Sequence, residues 1–183
     1  MVRMLLPCLM VVLAVSGCRS ENLPSSDGVS KTPPVAASSP HDKLYEQLRS
    51  GVFQINSGLD AIEEALNESR KTAAKTGDIR KSLDDIQASI DSAGETLGDE
   101  AAVEPDRGKV MADLTAAETR RKSLCDLVND SLHDLRDARG IVDSLAEGTD
   151  VGPLENVGAK IDEAMTTLRS ALQALGGAEA VEE

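Results

Sequence analysis

Residues 110–145 read VMADLTAAETRRKSLCDLVNDSLHDLRDARGIVDSL, and their spacing decides the fold class. Val110, Leu114, Ala117, Arg121, Leu124, Val128, Ser131, Leu135, Ala138, Val142 and Leu145 follow one another at steps that alternate between four and three. That alternation keeps them on one stripe of a helix. Cys125, Leu127, Leu132 and Ile141 widen the stripe on both flanks. A two-stranded coil needs only a narrow seam, so the widening predicts a helix in contact with at least two neighbours. Arg121 and Ser131 interrupt the apolar run. Such residues either fix register or sit at the rim of a bundle, and the rim is the expectation for both.

The same period recurs on either side. Residues 148–152 read as a turn, Pro153 as the start of the last helix. Leu154, Val157, Ile161, Ala164, Leu168, Ala171 and Leu175 continue the heptad there, widened by Met165 and Leu172, until Gly176-Gly177 stop it. Upstream, residues 98–105 read as another turn, with Pro105 opening the long helix. Ile79, Leu83, Ile86, Ile90, Ala93 and Leu97 precede it, and Leu48, Val52, Ile55, Leu59, Ile62 and Leu66 come earlier still. These two runs are out of phase by three residues, a stammer-like slip. Between them, over 67–76, only Ala73 is apolar, and Gly77-Asp78 offers either a break capped by Asp78 or a local distortion. Gly51 and Gly58 lie seven apart, and either let another helix come close or fray the start. No run alternates with period two. The predicted fold is all-α: an antiparallel helical bundle or coiled coil of three long helices, or four if the chain breaks at Gly77. It occupies residues 42–177, behind a disordered tether and ahead of an acidic tail at 178–183.

Composition narrows the partners. The 183 residues carry 19 basic and 32 acidic side chains, a formal net charge of −13. Nucleic acid needs Lys and Arg to displace counterions from phosphate, so it is disfavoured. Flat docking on anionic lipid is disfavoured for the same reason. Tyr45 and Phe53 are the aromatics, and there is no Trp. Aromatics fill bulky cores and ligand pockets, so their scarcity predicts narrow aliphatic seams.

Little in the chain looks like catalytic or metal-binding chemistry. His41 falls in the tether. Asp130, His133 and Asp137 share one helix face, and the Asp-x-x-His step resembles half of a di-iron bundle motif without its partner half. His133 lies on the polar side of the heptad, so a solvated face is the expectation rather than a metal site. Adjacent acids such as Glu63-Glu64 and Asp84-Asp85 point about 100° apart on a helix and read as surface charge. Glu68 to Thr72, Asp113 to Ala117 and Asp134 to Ala138 show that exposed i, i+4 positions are not systematically paired, leaving the acid surplus largely uncompensated. No cofactor is expected.

The N-terminus carries an address. Arg3 precedes an apolar run at 5–15 that is too short to cross a bilayer, and Val15-Ser16-Gly17-Cys18 close it. This resembles the lipobox of bacterial lipoproteins. The resemblance implies that residues 1–17 are a signal peptide, cut before Cys18, and that Cys18 is lipidated and anchors the chain to a membrane. Two or more acyl chains hold stably where one does not. Arg19 stands where that family's inner-membrane retention signal has Asp, which implies the periplasmic face of the outer membrane in a Gram-negative host. Losing Arg3 with the leader leaves 18 basic against 32 acidic side chains, a net of −14. Pro24, Pro33, Pro34 and Pro40 lie among small polar residues over 19–41, a spacer reaching at most about 75 Å. Cys8 leaves with the leader, so Cys125 stands alone, either a reactive thiol or a small buried hydrophobe; the buried role is the expectation. The chain resembles the major outer-membrane lipoprotein of enteric bacteria only in joining a lipidated cysteine to heptads, and it ends Glu182-Glu183 where that family has a Lys joined to the cell wall. The expected role is a non-enzymatic envelope scaffold, spacer or adaptor that meets a protein partner or a second copy. The alternative is a ligand-binding or inhibitory helical module.

Overall fold

The computed structural model describes residues 39–75, 79–147 and 152–179. The leader, Cys18, the tether up to residue 38, Gly77-Asp78, the turn at 148–151 and residues 180–183 lie outside the described residues. Five helices follow in order: α1 Pro40–Ala73, α2 Arg80–Ala101, α3 Arg107–Ala112, α4 Leu114–Ala146 and α5 Gly152–Leu175. No strand occurs among the described residues. The fold is an all-α helical bundle with four long helices among the described residues, α1 ending at Ala73 and α2 beginning at Arg80.

α1 packs against α2 and α5, and α4 packs against the same two, while α1 and α4 touch sparingly across the diagonal. Successive neighbours run antiparallel, as short connections require. The shared core is aliphatic. Leu48 and Ile55 from α1, Leu83, Ile86, Ile90 and Leu97 from α2, Leu132 and Leu135 from α4, and Ile161 and Leu168 from α5 are all fully buried. α4 therefore has the several neighbours that its widened stripe demands.

α1 and α5 form the most extensive of these contacts. A Cβ on Gly51 would overlap Leu175 Cδ2, and one on Gly58 would overlap Leu168 Cδ2. The two glycines thus serve close approach rather than fraying. Ala65 and Thr72, the next positions at the same seven-residue spacing on α1, are also buried, as are Ile161 and Leu154 at the matching spacing on α5. The weak stretch of α1 is helical, with Ser69 and Thr72 buried where the apolar stripe lapses.

The structure departs from the expected pattern in four places. α1 begins at Pro40, so His41 lies in its first turn and not in the tether; Ser39 caps it, its Oγ accepting from Asp42 N at 3.1 Å, with Pro40 preset at the first position. α2 continues into the expected turn as far as Ala101, kinked at Gly98, whose φ of 56° only glycine adopts at low cost. The long helix expected from Pro105 is two. Pro105 precedes the cap Asp106 of α3, and Asp113 breaks the run because its extended backbone (φ −142°, ψ 92°) lets its side chain accept Ala116 N at 3.0 Å and cap α4. Ser131 is not at a rim: it is fully buried and donates from Oγ to the Ala93 carbonyl oxygen of α2 at 2.8 Å.

α3 repairs a mismatch of lengths. α2 has 22 residues against 34 in α1, so the first turns of α1 outrun it. Asn56 donates to the Ala102 carbonyl oxygen at 3.3 Å where α2 ends. Beyond that point α3 lies against α1 and α4, burying Val110. Its Arg107 bonds Asp42 at 2.9 Å and stands 5.8 Å from the centre of the Tyr45 ring.

Candidate functional site

Many charged side chains on the bundle are engaged in surface pairs. Lys160 reaches Glu64 of α1 at 2.6 Å and Glu163 at 2.7 Å; the bonds to Glu163 and Glu64 push its ammonium well above the usual lysine range, and the bond from Lys160 holds the Glu64 carboxyl below the usual carboxylate range. Arg139 joins α4 to Asp162 of α5 and pairs with Asp143 on its own helix. Hydrogen bonds from Ser39 and then Arg107 lower the Asp42 carboxyl. These links orient helices at the surface and contribute modestly to stability.

The expected acidic-histidine face is dispersed. Asp130, His133 and Asp137 lie on the outer side of α4, with His133 Nε2 3.9 Å from Asp137 Oδ2. Among the described residues no three His, Cys, Asp or Glu side chains converge to hold a metal ion. Arg121 does sit at the rim. It bonds Glu118 at 2.9 Å and donates from Nη1 to the Leu175 carbonyl oxygen at 2.9 Å, placing a cation on the C-terminal end of α5.

Cys125 is buried beneath the turn that ends α5. Gly176 turns left-handed at φ 72°, and Gly177 N bonds the Leu172 carbonyl oxygen at 2.8 Å. A Cβ on Gly177 would meet Cys125 Sγ at 2.8 Å. Burial pushes the thiol up. The chain then folds back, and Glu179 binds Arg169 at 3.0 Å and also Arg136, which lowers its carboxyl below the usual range. The first two residues of the acidic tail are therefore docked on α4 and α5.

Apart from a small hollow of about 160 Å³ beside Leu48 and Val110, the depressions in the surface follow one line, the outer seam between α1 and α2 and its continuation past the end of α2. Three depressions follow one another along it. The first, about 350 Å³, lies near the start of α1 and is lined by Val52, Phe53, Asn56 and Glu104 among others. The second, about 480 Å³, runs between Leu59, Ile62, Leu66 and Ile90, with Gly94 and Gly98 forming its floor on α2 and Glu63, Asp91 and Glu95 its edges. The third, about 460 Å³, ends among Arg70, Lys75, Arg80 and Asp84. Phe53 is 66 % exposed and Val103, next to Glu104, 56 %; they are the large apolar side chains left outside among the described residues.

No family model, curated protein or solved structure matches this chain. Its site has to be read from its own geometry.

Sequence reasoning missed this seam. Phe53 falls one residue off the α1 stripe and Val103 inside an expected turn, so neither belongs to a helical period. A lone aromatic off the stripe of a chain so poor in aromatics was the available signal. Cys18, the predicted lipidation site, lies outside the described residues.

Proposed function

We propose that this chain is a lipid-anchored envelope lipoprotein acting as a non-enzymatic scaffold, spacer or adaptor, through helical surfaces held off the membrane by a tether. The lipobox Val15-Ser16-Gly17-Cys18 supports the anchor. The observation that carries the adaptor role is Phe53, exposed at the mouth of an open helix seam on a bundle whose other large apolar side chains, Val103 apart, are buried or half-buried among the described residues. An exposed apolar side chain beside a groove rimmed by polar residues supports an interaction surface there. A stable anchor and a prefolded bundle together raise the local concentration of whatever the bundle holds.

The test is Cys18→Ser expressed beside the wild type, with fractionation and in-cell crosslinking. The wild type is expected in the membrane fraction, crosslinked to a dominant envelope protein. The variant is expected in the soluble fraction with its leader uncleaved or cut elsewhere. A variant that stays membrane-bound with unchanged processing overturns the anchor.

A further inference from the structure

We propose that the α1/α2 seam is the docking groove for one amphipathic helix of a different protein, apolar on its buried face and basic along its flanks. This deepens the adaptor reading and rests on it. The three depressions extend from Phe53 to Ala74, about 32 Å along α1, the length of a helix of about 21 residues. Leu59, Ile62 and Ile90 line the middle, the last two buried at its base, and glycine at 94 and 98 leaves the α2 side without side chains, so a partner's side chains can rest against the helix backbone there. Phe53 stands at the mouth, an aromatic of the kind that dominates interface energetics.

Charge selects the occupant. Glu104 borders the mouth and Glu63, Asp91 and Glu95 edge the middle. None of the ion pairs seen among the described residues involves Glu63, Glu95 or Glu104, and Arg49, which also lines the mouth, pairs with Glu46. A second copy of this chain, laid seam to seam about a two-fold axis, would bring the middle carboxylates Glu63 and Glu95 against themselves, and like charges across an interface cost several kcal/mol. A helix flanked by Lys or Arg would pair with them instead. Arg70, Lys75 and Arg80 at the far end set its direction, with the basic flanks over the mouth and middle.

The experiment titrates the full lipidated protein, in non-ionic detergent, with two designed helical peptides of equal apolar face, one flanked by Lys and one by Glu. The Lys peptide is expected to bind and the Glu peptide to bind at least about ten-fold more weakly. Phe53→Ser is expected to weaken the Lys peptide by about ten-fold or more. The double variant Glu63→Lys/Glu95→Lys is expected to reverse the preference, while Asp126→Lys/Asp130→Lys on α4, with the same change in net charge, leaves it. Equal losses from the two double variants would reduce the binding to nonspecific attraction and overturn the groove. In parallel, photocrosslinkers at positions 53, 63 and 95, and at 126 and 155 as controls, are placed in the protein in intact cells. Adducts at the first three with another protein, abolished by Glu63→Lys/Glu95→Lys, support the groove. Adducts to a second copy or to residues 18–38 of the same chain overturn it, as does capture confined to 126 and 155, which leaves the adaptor reading standing. Capture at no position overturns both.

Discussion

Single atoms decide how closely the helices approach. A methyl group on Gly58 would overlap Leu168 Cδ2 and stand 3.1 Å from its Cγ, and Leu168 is itself fully buried, so it has little room to yield. Gly58→Ala is therefore expected to destabilise the bundle by about 1–3 kcal/mol, overpacking outweighing the better helix propensity of alanine. Gly140 on α4 has nothing within 4 Å of a built Cβ. Gly140→Ala should gain up to about 1 kcal/mol, and urea unfolding of both variants checks the contrast. Two buried serines form a second contrast. Ser131 bonds the Ala93 carbonyl oxygen, whereas Ser69 Oγ finds no acceptor or donor in its buried position. Ser69→Ala is expected to be neutral or stabilising by about 1 kcal/mol, since it removes an unsatisfied buried hydroxyl. Ser131→Ala should lose about 1 kcal/mol. Equal losses from both would show that Ser69 makes a bond after all. None of these distinctions was readable in the heptad, because period places a residue on a face without saying which backbone oxygen it meets.

At the scale of elements, what repeated was legible and what ended was not. The 4-3 alternation located the helical stretches and their buried faces, since it records a core of constant geometry, but it left open whether the first two formed one helix or two. Asp113 shows the failure. It lies inside an unbroken stripe that runs from Val110 through Leu114 to Ala117, yet it takes an extended backbone and caps α4. Periodicity survives because Val110 of α3 and Ala117 of α4 are both turned into the core, so the apolar positions stay in step across the break. Asp113→Ala is expected to cost about 1 kcal/mol through loss of the cap, with hydrogen exchange accelerated at Ala116 and its neighbours. Unchanged exchange there would mean that α3 and α4 can fuse into the single helix that the sequence pattern suggests. The seam site was hidden for a related reason: it is assembled from the flank of one stripe and the floor of another, and no single helix displays it.

For the whole molecule, the carboxylates that fasten the bundle also set its acid response. Glu179, clamped by Arg169 and Arg136, is held below its ordinary value of 4.5, as Glu64 is by Lys160. A carboxylate lowered in the folded state lends stability that is fully present above its unfolded value and lost as pH falls through the folded one. Acid also relieves repulsion among the surplus carboxylates, which works in the opposite direction. The clean measurement is the difference in urea midpoint between wild type and Glu179→Gln. It should be constant above about pH 5 and shrink toward zero below about pH 4. At neutral pH the same variant should also let Cys125 react faster with a thiol reagent, because the turn over its sulfur loses its fastening. A pH-independent difference would place the role of Glu179 elsewhere than in its charge. The pairing of α1 with α5 has a kinetic consequence. The first and last helices are each other's principal partners, so the small-to-large ladder closes only when the final turn of α5 is present. Contacts so distant in sequence form late. A polypeptide emerging from a ribosome or threading a translocation channel would keep its first helix without its mate until Leu175 arrives, which favours passage of an unfolded chain and folding on the far side.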